Sequence, residues 1–171
     1  MISKIYFSTA SLNEAINIKL PSELESHAKT AESVLAWSLI LKKYREVYNE
    51  NLPAVSFLNS GKPIIDGGYI SISHSNGVVA VCFSKTSSVG IDIELIKNTI
   101  PERVSNLLGE KYPPDFYKKW TEREAVIKAK NYSALKKGVE NEFVGISETI
   151  TANEKAFSLS VYGENAQFIK V

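Results

Sequence analysis

The stretch that most limits what this chain can fold into spans residues 69–83. Tyr-Ile-Ser-Ile-Ser, residues 69–73, alternates polar and apolar side chains, the period of a strand. His74-Ser75-Asn76-Gly77 follows, and an Asn-Gly pair between apolar runs is the strongest short hairpin signal. Residues 78–83, Val-Val-Ala-Val-Cys-Phe, are apolar throughout. A strand with no polar face is covered on both sides, so this one is expected at the centre of a sheet.

Helices flank that sheet in the chain. Residues 21–48 begin with Pro21-Ser22, with Ser22 and Glu25 at capping-box spacing. Val34, Trp37, Leu41, Tyr44 and Tyr48, widened by Leu35 and Leu39, make an apolar helical stripe, with a break expected near Lys29-Thr30. Short strands are expected at 2–8 and 53–58, with a turn over 59–63. Later helix signals are residues 102–108, closed by Gly109, and a second segment opening at Pro113-Pro114. Thr121 and Glu124 again stand at capping-box spacing, and Asn131 suits a helix end. Strands near 146–151, 157–162 and 167–171 close the chain. Each half therefore reads strand, helices, strands. The expected fold is α+β, with two similar lobes over 1–88 and 89–171 forming an intramolecular pseudo-dimer.

Charge and cysteine content exclude several classes. A formal net charge of +1 gives no global field for nucleic acid or membrane. No run reaches the ~18 apolar residues of a membrane span. Residues 1–6 lack the apolar core of a signal peptide. The single cysteine, Cys82, lies in the apolar strand and has no intrachain partner. These features suit the reducing cytosol, and a cytoplasmic protein is expected.

Chemistry concentrates in residues 89–94, Val-Gly-Ile-Asp-Ile-Glu. Strand alternation puts Asp92 and Glu94 on one face. Two readings fit. The acids form the solvated face of an edge strand, or they share a hard cation such as Mg²⁺, which uses one or two carboxylates with phosphate oxygens. Glu124 and Lys128, four apart on a helix, share a face. They read either as a surface pair with Glu124 as helix cap, or as a third oxygen ligand and a phosphate-facing ammonium. His74 at a turn and Lys62 in a Gly-Lys-Pro turn each have an ordinary solvated reading too. No His or Cys set has zinc spacing.

Taken in order, Gly61-Lys62-Pro63, Ile72-Ser73-His74-Ser75, residues 89–94, and residues 116–129 (Phe-Tyr-Lys-Lys-Trp-Thr-Glu-Arg-Glu-Ala-Val-Ile-Lys-Ala) resemble the 4′-phosphopantetheinyl transferases of the surfactin-synthetase-activating type. The motifs cover roughly residues 61–130, and four in order are far more specific than one. The resemblance implies a pseudo-dimer with its site in the cleft, coenzyme A as donor, and a serine of an apo acyl or peptidyl carrier protein as acceptor. It implies Mg²⁺ as cofactor, with Mn²⁺ as a substitute, and a monomer. Asp92, Glu94 and Glu124 match the metal carboxylates, and Glu124 also the base for the serine. Lys128 matches the lysine on the pyrophosphate and, with Glu124 and His74, the catalytic set. Lys62, Pro63, Ser73, His74, Arg123 and Lys128 match positions that bind coenzyme A. Lys118 and Lys119 lie where a carrier would dock. The chain departs from the pattern at Arg123, where lysine is usual, and at Asn131, near where glycine is usual. Its first long helix lacks the usual arginines, with Lys29 as a stand-in. A relative that binds coenzyme A or a carrier without turnover is the alternative, and a structural α+β module a third reading.

Overall fold

A computed structural model describes residues 2–14, 16, 19–100, 102–134 and 136–171, without the side chains of 103, 107 and 140. Among the described residues there are three sheets and four α-helices, an α+β fold. No helix among them is long and apolar enough to cross a membrane.

The first sheet has four strands. They are β1 (Ser3–Ser11), β4 (Tyr69–Ser75), β5 (Val78–Ser84) and β9 (Ala166–Lys170), in the order β4-β5-β1-β9. β5 is central and buried at every position, as its composition requires. The hairpin turn has Asn76 at φ 49° and Gly77 at φ 80°, the two positive values such a two-residue turn needs. β4 runs two residues further than its alternation shows, so His74 lies within the strand rather than at the turn. β9 pairs parallel with β1, Ser3 opposite Ala166. The strand pairing therefore does not divide the chain into two like halves.

β2 (Val55–Phe57) and β3 (Pro63–Ile65) form a separate two-stranded sheet around the 59–63 turn. The third sheet holds β6 (Gly90–Leu95), β7 (Gly145–Ala152) and β8 (Lys155–Tyr162), in the order β6-β8-β7. Its inner face, including Ile91, Ile93 and Leu159, packs on Ile5, Phe7, Ala80 and Cys82 of the first sheet. The result is four layers: helix, sheet, sheet, helix.

The two outer layers are long helices. α2 (Ala31–Tyr48) follows the short α1 (Ser22–Glu25) and covers the outer face of the first sheet. The break falls at Thr30, as expected, but the capping box does not sit at Ser22. Pro21 caps α1 without a side-chain bond, whereas Thr30 and Ser33 cap α2 reciprocally. The buried stripe centres on Leu35, Ala36, Leu39 and Ile40, and leaves Val34 41% exposed. α3 (Glu102–Leu108) matches its expected range. α4 runs unbroken from Pro113 to Lys130, and left-handed Asn131 ends it. Thr121 is therefore mid-helix and no cap: its hydroxyl donates to the Lys118 carbonyl and meets Ser158 and Ser160 of β8. A 3-10 turn at Val139–Glu142 packs beside the end of α4.

Candidate functional site

β6 is the axis of the site. Ile91 and Ile93 are driven into the core between the sheets, which turns Asp92 and Glu94 toward α4. α4 approaches unusually closely because residue 90 is glycine: a Cβ there would stand 1.9 Å from the Ala125 carbonyl oxygen. The acids are thus not a solvated face. Asp92 is only 4% exposed and Glu94 is half-buried.

The free edge of β6 is closed by β4. Ser71, Ser73 and Ser75 share one face of β4, and their hydroxyls accept from the backbone N–H of Ile91 (3.2 Å), Ile93 (3.3 Å) and Leu95 (3.1 Å). This satisfies backbone donors that a buried edge would otherwise leave costly and unpaired. Two of the serines also donate onward, Ser73 to Asp92 Oδ1 at 2.8 Å and Ser75 to Glu94 Oε2 at 2.9 Å.

Lys128 reaches in from α4. Its ammonium donates to Asp92 Oδ1 at 2.6 Å and to the Ile91 carbonyl at 3.1 Å. It pairs with the strand acid, so the surface-pair reading with Glu124 does not describe it. Asp92 Oδ2 is buried and, among the described residues, has no hydrogen-bond partner. Burial, followed by the charge of Asp92, pushes the carboxyls of both Glu94 and Glu124 above the usual range. Glu94 and Glu124 therefore each sense the charge of Asp92. Each is nonetheless tied to a different partner, Glu124 to the Arg123 guanidinium at 2.8 Å. Among the described residues no three His, Cys, Asp or Glu side chains are gathered as a metal set. The Lys128 ammonium supplies the positive charge that Asp92 would otherwise lack.

Beside Lys128 a cavity of about 290 Å³ opens between the Gly-Lys-Pro turn and the end of α4, lined by Lys62, Pro63, Ser71, Ile127, Lys128 and Tyr132. Lys62 is half-buried and donates to the Ala129 carbonyl at 3.2 Å, and burial lowers its pKa. Lys62, Pro63 and Lys128 are thus brought together, with Ser73 held nearby on Asp92.

Other expected residues lie elsewhere. His74 leaves the opposite face of β4 from Ser73 and Ser75. Its Nδ1 is 3.2 Å from Glu32 of α2, whose other oxygen accepts the Gly77 N–H at 2.6 Å. Arg123 is buried and donates to the carbonyls of Ala134 (2.6 Å) and Lys136 (3.2 Å), anchoring the loop after α4. Lys119 is paired with Glu110, and Lys118 is exposed. Lys29 is exposed too. The serine ladder and Glu32 escaped the sequence reading. The ladder's period-2 hydroxyls were visible, but not the strand edge they face.

No protein-family model matches the chain, and no curated protein is significantly similar to it.

Proposed function

We propose that the chain transfers the 4′-phosphopantetheine group of coenzyme A to a serine of an apo carrier protein, acting as a monomer. The observation that carries this reading is Asp92: a buried carboxylate held through Oδ1 by Lys128 and Ser73, with Oδ2 unpartnered. A buried acceptor left unpaired is costly, and a bound cation would answer it. The two-lobe arrangement over 1–88 and 89–171 belongs to the same proposal. It is supported by one long helix covering each of the two larger sheets, while β9 crosses to the first of them.

Asp92 through Oδ2, with Glu94 and Glu124, would hold Mg²⁺ or Mn²⁺, which when bound neutralises pyrophosphate charge. Lys62 and Lys128 line the cavity and offer ammonium groups to phosphate oxygens. Glu124 takes the proton of the carrier serine. The serine oxygen forms a bond to the phosphorus bearing the pantetheine arm. The bond from that phosphorus to the bridging oxygen breaks, and adenosine 3′,5′-bisphosphate leaves with the electron pair, its charge met by Lys128. For this Glu124 must exchange Arg123 for its new partners. Arg123, bonded to the carbonyls of Ala134 and Lys136, positions Glu124 rather than coenzyme A. His74 leaves the other face of β4 and is paired with Glu32, so it is given no part in this step.

A second reading, binding of coenzyme A without turnover, is favoured by that Arg123–Glu124 pair and by the ungathered acids. Mass spectrometry of apo carriers incubated with coenzyme A and Mg²⁺ tests both. A mass gain of one phosphopantetheine group on the carrier is expected. Asp92→Ala should lower the rate by about a hundredfold or more. Because it leaves Lys128 and Ser73 without their acceptor, the melting temperature should fall too, so the rate is compared at a temperature where both proteins are folded. Metal-dependent binding of coenzyme A with no adduct on any carrier supports the second reading. Wild-type rates in Asp92→Ala remove the basis of the first.

A further inference from the structure

Ser75 stands apart within the serine ladder. The three rungs are alike toward the backbone of β6, but they differ in what the hydroxyl does next. Ser71 faces a position occupied by glycine, so it meets no carboxylate. Ser73 shares Asp92 Oδ1 with Lys128. Among the described residues Ser75 is the one side chain that donates a hydrogen bond to Glu94, at 2.9 Å, and it binds Oε2. Its own oxygen is fixed by the Leu95 N–H, the residue next to Glu94. A hydroxyl anchored to the same strand that it orders leaves the carboxylate little rotational freedom. Glu94 is then presented with Oε2 occupied and, among the described residues, no hydrogen bond to Oε1.

We propose that Ser75 is a positioning residue for Glu94, orienting its carboxylate for a divalent cation shared with Asp92. The inference rests on the cation reading of the site. It adds to that reading a residue whose loss weakens the cation site while the ligands themselves stay in place. It also assigns two jobs to one hydroxyl: closing the β6 edge and aiming an acid. Ser71 does only the first, and so separates the two.

The test is Mn²⁺ titration of the whole protein, free Mn²⁺ being read by electron paramagnetic resonance, with melting temperature measured in parallel. Ser75→Ala should weaken Mn²⁺ binding about tenfold, the usual cost of removing a hydrogen bond to a metal ligand. Ser75→Thr, which keeps the hydroxyl, should bind within about twofold of wild type, while the isosteric Ser75→Val should follow Ser75→Ala. Ser71→Ala should lower the melting temperature without changing Mn²⁺ affinity. The Thr and Val pair keeps the test decisive if the alanine variant folds poorly. Equal weakening in Ser71→Ala and Ser75→Ala overturns the proposal, since the seam rather than Glu94 would then set the affinity. Wild-type affinity in Ser75→Ala beside lost affinity in Asp92→Ala also overturns it, but leaves the cation reading standing. Wild-type protein that binds no Mn²⁺, or Asp92→Ala that binds as well as wild type, overturns both.

Discussion

α2 and α4 are each 18 residues long and each covers the outer face of a sheet, yet the two interfaces are built of different materials. Under α2 lie Ile70, Val79, Val81 and Phe83, met by Leu35, Trp37, Ile40 and Tyr44. Under the middle of α4 lie Asp92, Ser158 and Ser160, met by Thr121, Glu124 and Lys128. Thr121, Ser158, Ser160 and Ser147 form a run of hydroxyls at 2.8–3.0 Å that ends on Glu122. Apolar burial stabilises by about 25 cal/mol per Å², whereas a hydrogen bond returns about 1 kcal/mol net. The α4 layer is thus the costlier way to hold a helix on a sheet. Its polar content makes sense as a site, and the α2 layer as the scaffold that carries it.

The largest effect should come where the polar layer depends on close backbone approach. Gly90→Ala places a methyl 1.9 Å from the Ala125 carbonyl oxygen, so α4 must lift or β6 must shift. A loss of at least about 3 kcal/mol is expected, above the common range for overpacking because the obstruction is backbone. Thermal melting followed by circular dichroism measures it. A wild-type melting temperature would mean that α4 is not seated on β6 as described.

Next in size are paired substitutions that weigh the two layers. Phe83, fully buried among Tyr6, Tyr44 and Tyr48, should cost about 3–5 kcal/mol as Phe83→Ala. Thr121→Val keeps the shape of the α4 interface and removes one hydroxyl, leaving Ser158 and Ser160 short of a partner. About 1–2 kcal/mol is expected. Denaturant unfolding gives both values. Equal costs would erase the contrast between scaffold and site.

The same contrast governs what the sequence shows. β5 and α3 are legible because their signals are local: an unbroken apolar run, and a helix closed by Gly109 at φ 68°. Capping boxes are less so. Ser22/Glu25 and Thr121/Glu124 have the spacing but not the bonds, while Thr30/Ser33 makes both bonds with a serine at the third position. The pairing of β9 with β1 joins residues at opposite ends of the chain, which no local pattern records. β3 is three residues long, too short for periodicity. In the site, alternation placed Asp92 and Glu94 on one face, and helix spacing placed Lys128 on one face with Glu124; the meeting of Lys128 with Asp92 comes from the packing of α4 on β6. The edge-closing role of Ser71, Ser73 and Ser75 depends on where two sheets meet, and so emerges only on folding. The resemblance makes Arg123 a coenzyme A contact; the structure shows it buried and bonded to the carbonyls of Ala134 and Lys136, contacts that no local pattern records.

The smallest expected effect compares one tyrosine from each region. Tyr48, the last residue of α2, packs with Tyr6, Tyr44 and Phe83, and burial, followed by those tyrosines, pushes its hydroxyl up to about 12. Tyr162 lies against α4, and burial, followed by its hydrogen bond to Glu164 at 2.5 Å, also takes it up to about 12. Between the ordinary value of about 10 and about 12, the unfolded chain gives up these protons and the folded chain keeps them. The folded state then binds more protons, so stability falls as pH rises through that window. Both layers should weaken there for the same first reason, loss of buried neutral phenols. Their second causes differ, and Glu164→Gln separates them. It removes the carboxylate beside Tyr162 and should bring that phenol only part of the way back toward its ordinary value, because burial, the larger cause, remains. Tyr48 should not move. Tyrosinate absorbance during alkaline titration, with Tyr162→Phe to assign the transition, reads the difference. A shift of Tyr48 in Glu164→Gln would show that the two layers are electrostatically coupled rather than independent.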